Sequence, residues 1–274
     1  MVTESKNPLF SPKEGASLQN PIVIIGLGQL GETFSKSWHQ LGYPIVPVRR
    51  RQTLPEAFDQ KPQAVLIATG ERDLPSVLAT LSPGLKDRAI LLQNELVPRI
   101  WAPYLTTPTL AAIWFEKKPG ITLHSLRPSV AYGPQVHLLS TAFEVLNQPL
   151  QSVDTYEHMV VELMIKNTFI LATNIYGLVS PGPLKNFISP RHRTRVQQLL
   201  NEICPLQSCL TGLMCPVDRT SHDIWEVIAK NAELVVPGRS ALDRLHRTIT
   251  TARQSNLFTP ELDRIARQFD SPLN

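Results

Sequence analysis

The chain has 274 residues, 42% of them apolar, and a net charge of +4. That length and composition support one large domain or two smaller ones with a sizeable core, and they exclude general disorder. The mild positive charge comes without a basic tract and interleaved aromatics, so nucleic acid is not an expected partner; the densest cluster, Arg191-His192-Arg193-Thr194-Arg195, reads as solvated surface.

In chain order, residues 1–20 are polar and lack the apolar core of a secretory signal, so a flexible tail on a cytoplasmic protein is expected. Short apolar runs follow at 22–25, 44–48, 64–69, 89–93 and 110–115, with helical stretches at 29–41 and 74–81 between them. Strands alternating with helices predict a parallel sheet with crossover helices, and the runs at 120–124 and 129–132 are expected to extend it. The texture changes at Asn147-Gln148-Pro149. From Tyr156 to Val179 apolar positions recur at helical spacing until Pro181-Gly182-Pro183, and further helices are expected over 191–203, 219–233, 239–254 and 260–269. The expected fold class is α/β: a Rossmann dinucleotide-binding domain over 21–150, then an all-α C-terminal domain over 151–274.

The first strand and helix are joined by Gly26-Leu27-Gly28-Gln29-Leu30-Gly31, a G-x-G-x-x-G loop in the right context. The first glycine allows a tight turn. The second lets the backbone approach a pyrophosphate, the third lets helix and strand pack closely, and the helix N-terminus offers N–H groups to the anion. An acidic residue at the end of the second strand would read the ribose 2′-hydroxyl of NAD. Here no acidic residue lies between Glu32 and Glu56, and Arg49-Arg50-Arg51 stands in its place. Arginines suit a 2′-phosphate, so NADP(H) is the expected cofactor, with Arg50 and then Arg49 as its readers.

The helix over 162–179 carries Lys166, Asn167 and Asn174 in apolar surroundings. Such polar groups must find partners or face a cleft. Lys166 could protonate a developing alkoxide during carbonyl reduction; it could equally pair with Glu162 one turn earlier. The three cysteines, Cys204, Cys209 and Cys215, are odd in number and lack C-x-x-C spacing, so reduced thiols and no metal are expected. Ser221-His222-Asp223 holds the residue types of a hydrolytic triad, but neighbours in sequence point in different directions; Ser221 is read as a helix cap instead. The most apolar long stretch, 159–179, is broken by Glu162, Lys166, Asn167 and Asn174, so no membrane span is expected.

Together these residues resemble the ketopantoate reductase family, NADPH-dependent enzymes that reduce 2-dehydropantoate to pantoate in pantothenate biosynthesis. The glycine loop and Arg50 match its cofactor site. "LLQNEL" at 91–96 resembles the segment whose asparagine lies by the nicotinamide, which makes Asn94 a cofactor and substrate contact. "AYGP" at 131–134 and "FTPELDRI" at 258–265 resemble further signposts, and "ELMIKNTFILATN" at 162–174 resembles the lysine helix. The resemblance implies Lys166 as general acid and Asn174 as a substrate-binding residue. The departures fall in the substrate half. Ile170 stands where the family has a second asparagine, Glu95 where it has glycine, and Gly70 where it has a lysine. The family's substrate-binding glutamate motif is not recognisable in "GRSALDRL" at 238–245, where Ser240 and Asp243 are the candidates. The resemblance implies an NADPH-dependent reductase of a 2-oxo acid, with its active site in the cleft between the domains. A small-molecule substrate is the expected partner and a homodimer the candidate assembly. The alternative reading is an NADP-binding regulatory or interaction protein that has lost catalysis.

Overall fold

The computed structural model describes residues 19–49, 61–116 and 123–269. Residues 1–18 of the expected tail, Arg50, Arg51 and positions 120–122 of one expected strand lie outside them. The described residues divide into two compact units, one drawn from the chain up to residue 93 and from 103–152, the other from 94–102 and from 153 onward.

The first unit is built on a seven-stranded sheet. Its strands are β1 (Ile22–Ile25), β2 (Ile45–Val48), β3 (Ala64–Ile67), β4 (Ala89–Leu91), β5 (Thr109–Ala112), β6 (Ser129–Tyr132) and β7 (Leu150–Ser152), in the spatial order β2-β1-β3-β4-β5-β6-β7. The first five run parallel; β6 pairs antiparallel with β5, and β7 runs parallel to β6. Every residue of β1, β3 and β4 is buried, as continuous apolar runs in a sheet covered on both faces require. Helices α1 (Gln29–Gln40), α2 (Leu74–Thr80) and α3 (Val136–Val145) flank it. Phe34 and Trp38 of α1 pack on Phe143 of α3 and on Phe115, and the Trp38 indole donates to the Leu138 carbonyl at 3.0 Å. The sheet is thus mixed rather than parallel throughout, because β6 returns antiparallel along β5.

The second unit is helical: α4 (Tyr156–Val179), α5 (Pro190–Thr211), α6 (Val217–Lys230), α7 (Ala241–Gln254) and α8 (Pro260–Ala266). Thr155 caps α4, its hydroxyl accepting from the His158 N–H. α4 is buried along almost its whole length among α5, α6 and α7, which is why it reads as apolar all round. Two expectations are corrected by the helix boundaries. α5 continues through Pro205 to Thr211 rather than stopping at 203. α6 begins at Val217, so Ser221 lies inside it, where its hydroxyl accepts from the Gln197 amide at 3.0 Å, and does not cap the helix. Among the described residues no helix is long and apolar enough to cross a membrane.

Candidate functional site

The first unit's cleft opens where the strand order reverses, at the carboxyl ends of β1, β2 and β3, the place where doubly wound sheets take ligands. It measures about 810 Å³ and is lined by Gly26, Leu27, Gly28, Glu32, Arg49, Gly70 and Asp73, among others. The glycine loop has the geometry its residues suggest. Gly26 sits at φ +95°, and a Cβ there would lie 2.9 Å from the Ala68 carbonyl. A Cβ on Gly31 would come within 2.0 Å of the Gly26 carbonyl oxygen. Gly28 differs: a Cβ there would meet nothing within 4 Å, so its missing side chain leaves open cleft. The helical ladder of α1 starts with Glu32 N–H donating to Gly28 C=O. The N–H groups of Gln29, Leu30 and Gly31 therefore precede the ladder at the positive end of the helix dipole. These features fit a dinucleotide pyrophosphate. Gln93 fixes the β3 end of the cleft, its amide donating to the Ile67 and Thr69 carbonyls at 2.6 and 3.3 Å. The charged groups of the described lining are Arg49, Glu32 and Asp73, with Arg50 outside the described residues.

The other sequence candidates fall in the second unit, Asn94 included. Lys166 and Asn174 lie two turns apart on α4, each 7% exposed, with half-buried Ile170 between them on the same ridge. The Glu162 carboxylate accepts from Arg219 of α6. Asn174 is heavily engaged: its amide nitrogen donates to the Ile170 carbonyl at 2.8 Å, and its oxygen accepts from the Gly238 N–H at 2.9 Å and from Arg244 at 3.4 Å. Asn167 donates to the Leu96 carbonyl at 3.1 Å, which holds the 94–102 segment to α4. Ser240 stands at the N-terminus of α7 without a side-chain capping bond, and Asp243 lies exposed in its first turn.

Glu95 and its partners were not legible in the sequence. Glu95 has φ +55°, the left-handed conformation that glycine adopts freely and that costs another residue about 1–2 kcal/mol. One oxygen of that glutamate accepts from both Arg244 Nε and Arg247 Nη2, each at 2.8 Å. Arg244 is 8% exposed at its side chain and Arg247 36%. The two arginines lie three apart on α7, a spacing that puts them on one face, but their partner is 149 residues away from Arg244.

No family model and no curated protein sequence matches the chain. Solved structures do. A D-mandelate dehydrogenase determined with NADH and anilino(oxo)acetate superposes with a TM-score of 0.66 at 9% identity, over 90% of this chain and 96% of that one. A ketopantoate reductase from Ralstonia eutropha gives 0.64 at 14% identity, over 89% and 95%. A dimeric ketopantoate reductase from Staphylococcus aureus gives 0.61 at 19% identity, over 89% and 96%. The fold is shared with ketopantoate reductases. At these identities the likeness establishes the architecture, a Rossmann-type sheet unit followed by a helical unit, across nearly the full length of both chains.

Proposed function

We propose that the chain is an NADPH-dependent reductase of a 2-oxo acid, a divergent relative of the ketopantoate reductases that acts on 2-dehydropantoate or a related carbonyl compound. The observation that carries this reading is the open face of Gly28 in a glycine-lined cleft at the reversal of strand order. The loop from Gly26 to Gly31 would hold the pyrophosphate, and Arg49 with Arg50 the 2′-phosphate. Fold neighbours that bind NADH or are named ketopantoate reductases support the cofactor class and the reaction type. A bound NADPH supplies the hydride. Lys166 holds the proton that the carbonyl oxygen takes up, and Asn94 orients the reactants. Asn174 serves as much to fix Gly238 and Arg244 as to meet a substrate. That commitment, with Ile170 in place of an asparagine, favours the second reading, a dinucleotide-binding regulator without catalysis. Ser240 and Asp243 remain candidates for the substrate's far end, and a homodimer is the proposed assembly.

Calorimetric titration with NADPH and NADH, followed by NADPH oxidation with a panel of 2-oxo acids, tests the proposal. Tight NADPH binding, weaker NADH binding and turnover of at least one oxo acid are expected. NADPH binding without turnover selects the regulatory reading; binding of neither cofactor overturns both.

A further inference from the structure

A 2-oxo acid presents a carboxylate beside its reacting carbonyl, and an anion leaving water needs charged or N–H donors fixed in place. Along the Lys166 ridge of α4 those donors are scarce. Lys166 is assigned to the carbonyl oxygen, Ile170 is apolar, and Asn174 is hydrogen-bonded to the backbone and to Arg244. Asn167 spends its amide on Leu96 and Gln207. Arg244 of α7 lies next to Asn174. Arg244 is oriented there by the Asn174 oxygen, and Arg247 follows one turn later on the same face.

We propose, resting on the reductase reading above, that Arg244 and Arg247 bind the carboxylate of the substrate, and that Glu95 stands in for that carboxylate in the free protein. The two guanidinium groups converge on a single carboxylate oxygen at 2.8 Å each, which is the arrangement an incoming carboxylate would need. Arg244 is nearly buried and so is held in that place with or without a ligand, while Arg247 is more than a third exposed and can meet a ligand from solvent. Glu95 reaches them from a left-handed backbone conformation that glutamate does not favour. Displacement of Glu95 by a substrate carboxylate exchanges one anion for another without stranding either arginine. The substrate class is therefore a 2-oxo acid read through its carboxylate by a guanidinium pair. Esters and amides of the same carbonyl compound are poor substrates.

Oxamate, which carries the carboxylate of a small 2-oxo acid but no reducible ketone, is the probe. Its binding is measured by calorimetry on the full chain with and without NADP, for wild type, Arg247→Met and Glu95→Gln. Turnover of the best oxo acid and of its methyl ester is measured alongside. Arg247 is partly exposed, so Arg247→Met is expected to keep the wild-type melting temperature, whereas Arg244→Met is too buried to serve as the primary variant. The expected result is oxamate binding that weakens at least about tenfold in Arg247→Met, the usual consequence of losing a charged hydrogen-bond donor. Glu95→Gln should tighten it severalfold, and in Arg247→Met the KM for the acid should rise, so that the preference for the acid over its methyl ester falls. Arginine-dependent oxamate binding without any turnover would support the carboxylate site and defeat the reductase reading. Turnover with an unchanged KM in Arg247→Met, or absence of oxamate binding in wild type, would overturn the carboxylate site. Unaltered or weakened binding in Glu95→Gln would overturn the stand-in role of Glu95.

Discussion

Two glycines of one loop separate binding from folding at the scale of single residues. Gly28 has an ordinary extended conformation, with φ −76°, and a Cβ there would project into open space. Gly28→Ala should therefore fold with an unchanged melting temperature but fill the place where a pyrophosphate would lie, and lose most of its affinity for NADPH in calorimetry. Gly31→Ala places its new carbon 2.0 Å from the Gly26 carbonyl. It should lose about 2 kcal/mol or more of stability in urea unfolding, as overpacked sites do. If Gly28→Ala instead binds NADPH like wild type, the loop is only a turn. Lys166 makes the complementary test: Lys166→Ala should abolish oxo-acid reduction while leaving the dissociation constant for NADPH within about twofold, since the lysine is assigned to proton transfer and not to cofactor binding. The turn at Gly26 and the close packing at Gly31 were legible in the sequence because the G-x-G-x-x-G spacing between a strand and a helix calls for both. The role of Glu95 was not, because its meaning depends on Arg244 and Arg247, brought to it from the far end of the chain.

Individual helices are tied into the second unit by a buried carboxylate. Glu202 of α5 accepts from the N–H groups of Glu261 and Leu262 at 2.7 and 2.9 Å and so caps α8 from another helix. Burial raises its pKa above the ordinary 4.5; the two N–H donors work against that rise, and the charges of Glu261 and Asp263 add to it. With the folded value above the unfolded one, the native state keeps the proton to higher pH. The contribution is complete below the unfolded pKa and is lost as pH rises through the folded one. Urea unfolding of wild type and Glu202→Gln, compared between about pH 4 and pH 7, should show the wild-type advantage shrinking as pH rises. Glu202→Ala strands both donors and should cost about 1–3 kcal/mol. At this scale the sequence was informative where periodicity is strong. It placed α1, α4 and the strands of the parallel half. It gave no element over 136–145 or 150–152, where α3 and β7 form. α3 is ten residues long and β7 three, and each is held by partners distant in the chain: the Trp38 indole on Leu138, and the pairing of β7 with β6.

Across the molecule the three thiols report how the chain is packed. Cys204 and Cys215 are buried against Val160 and Met164, while Cys209 is exposed. The Cys204 and Cys215 thiols share a hydrogen bond. That bond brings Cys215 down to about 7, and together with burial it pushes Cys204 well up. Iodoacetamide at mildly alkaline pH should label one thiol of the native protein, at Cys209, and all three in denaturant, as read by intact mass. Rapid labelling of Cys215 in the native state would mean that the loop after α5 opens readily.

The amino-acid sequence by itself determined the alternation of strands and helices, the glycine loop between the first strand and the first helix, and the lysine within a largely apolar helix. Each of these is a matter of local spacing, where side-chain period and backbone freedom act over a turn or two. Only the tertiary structure decided that the sheet is mixed, that Asn174 is bound to Gly238 and Arg244, and that Glu95 answers a pair of arginines. Those outcomes depend on which distant groups must satisfy one another once water is excluded, and no local pattern in the sequence encodes that choice.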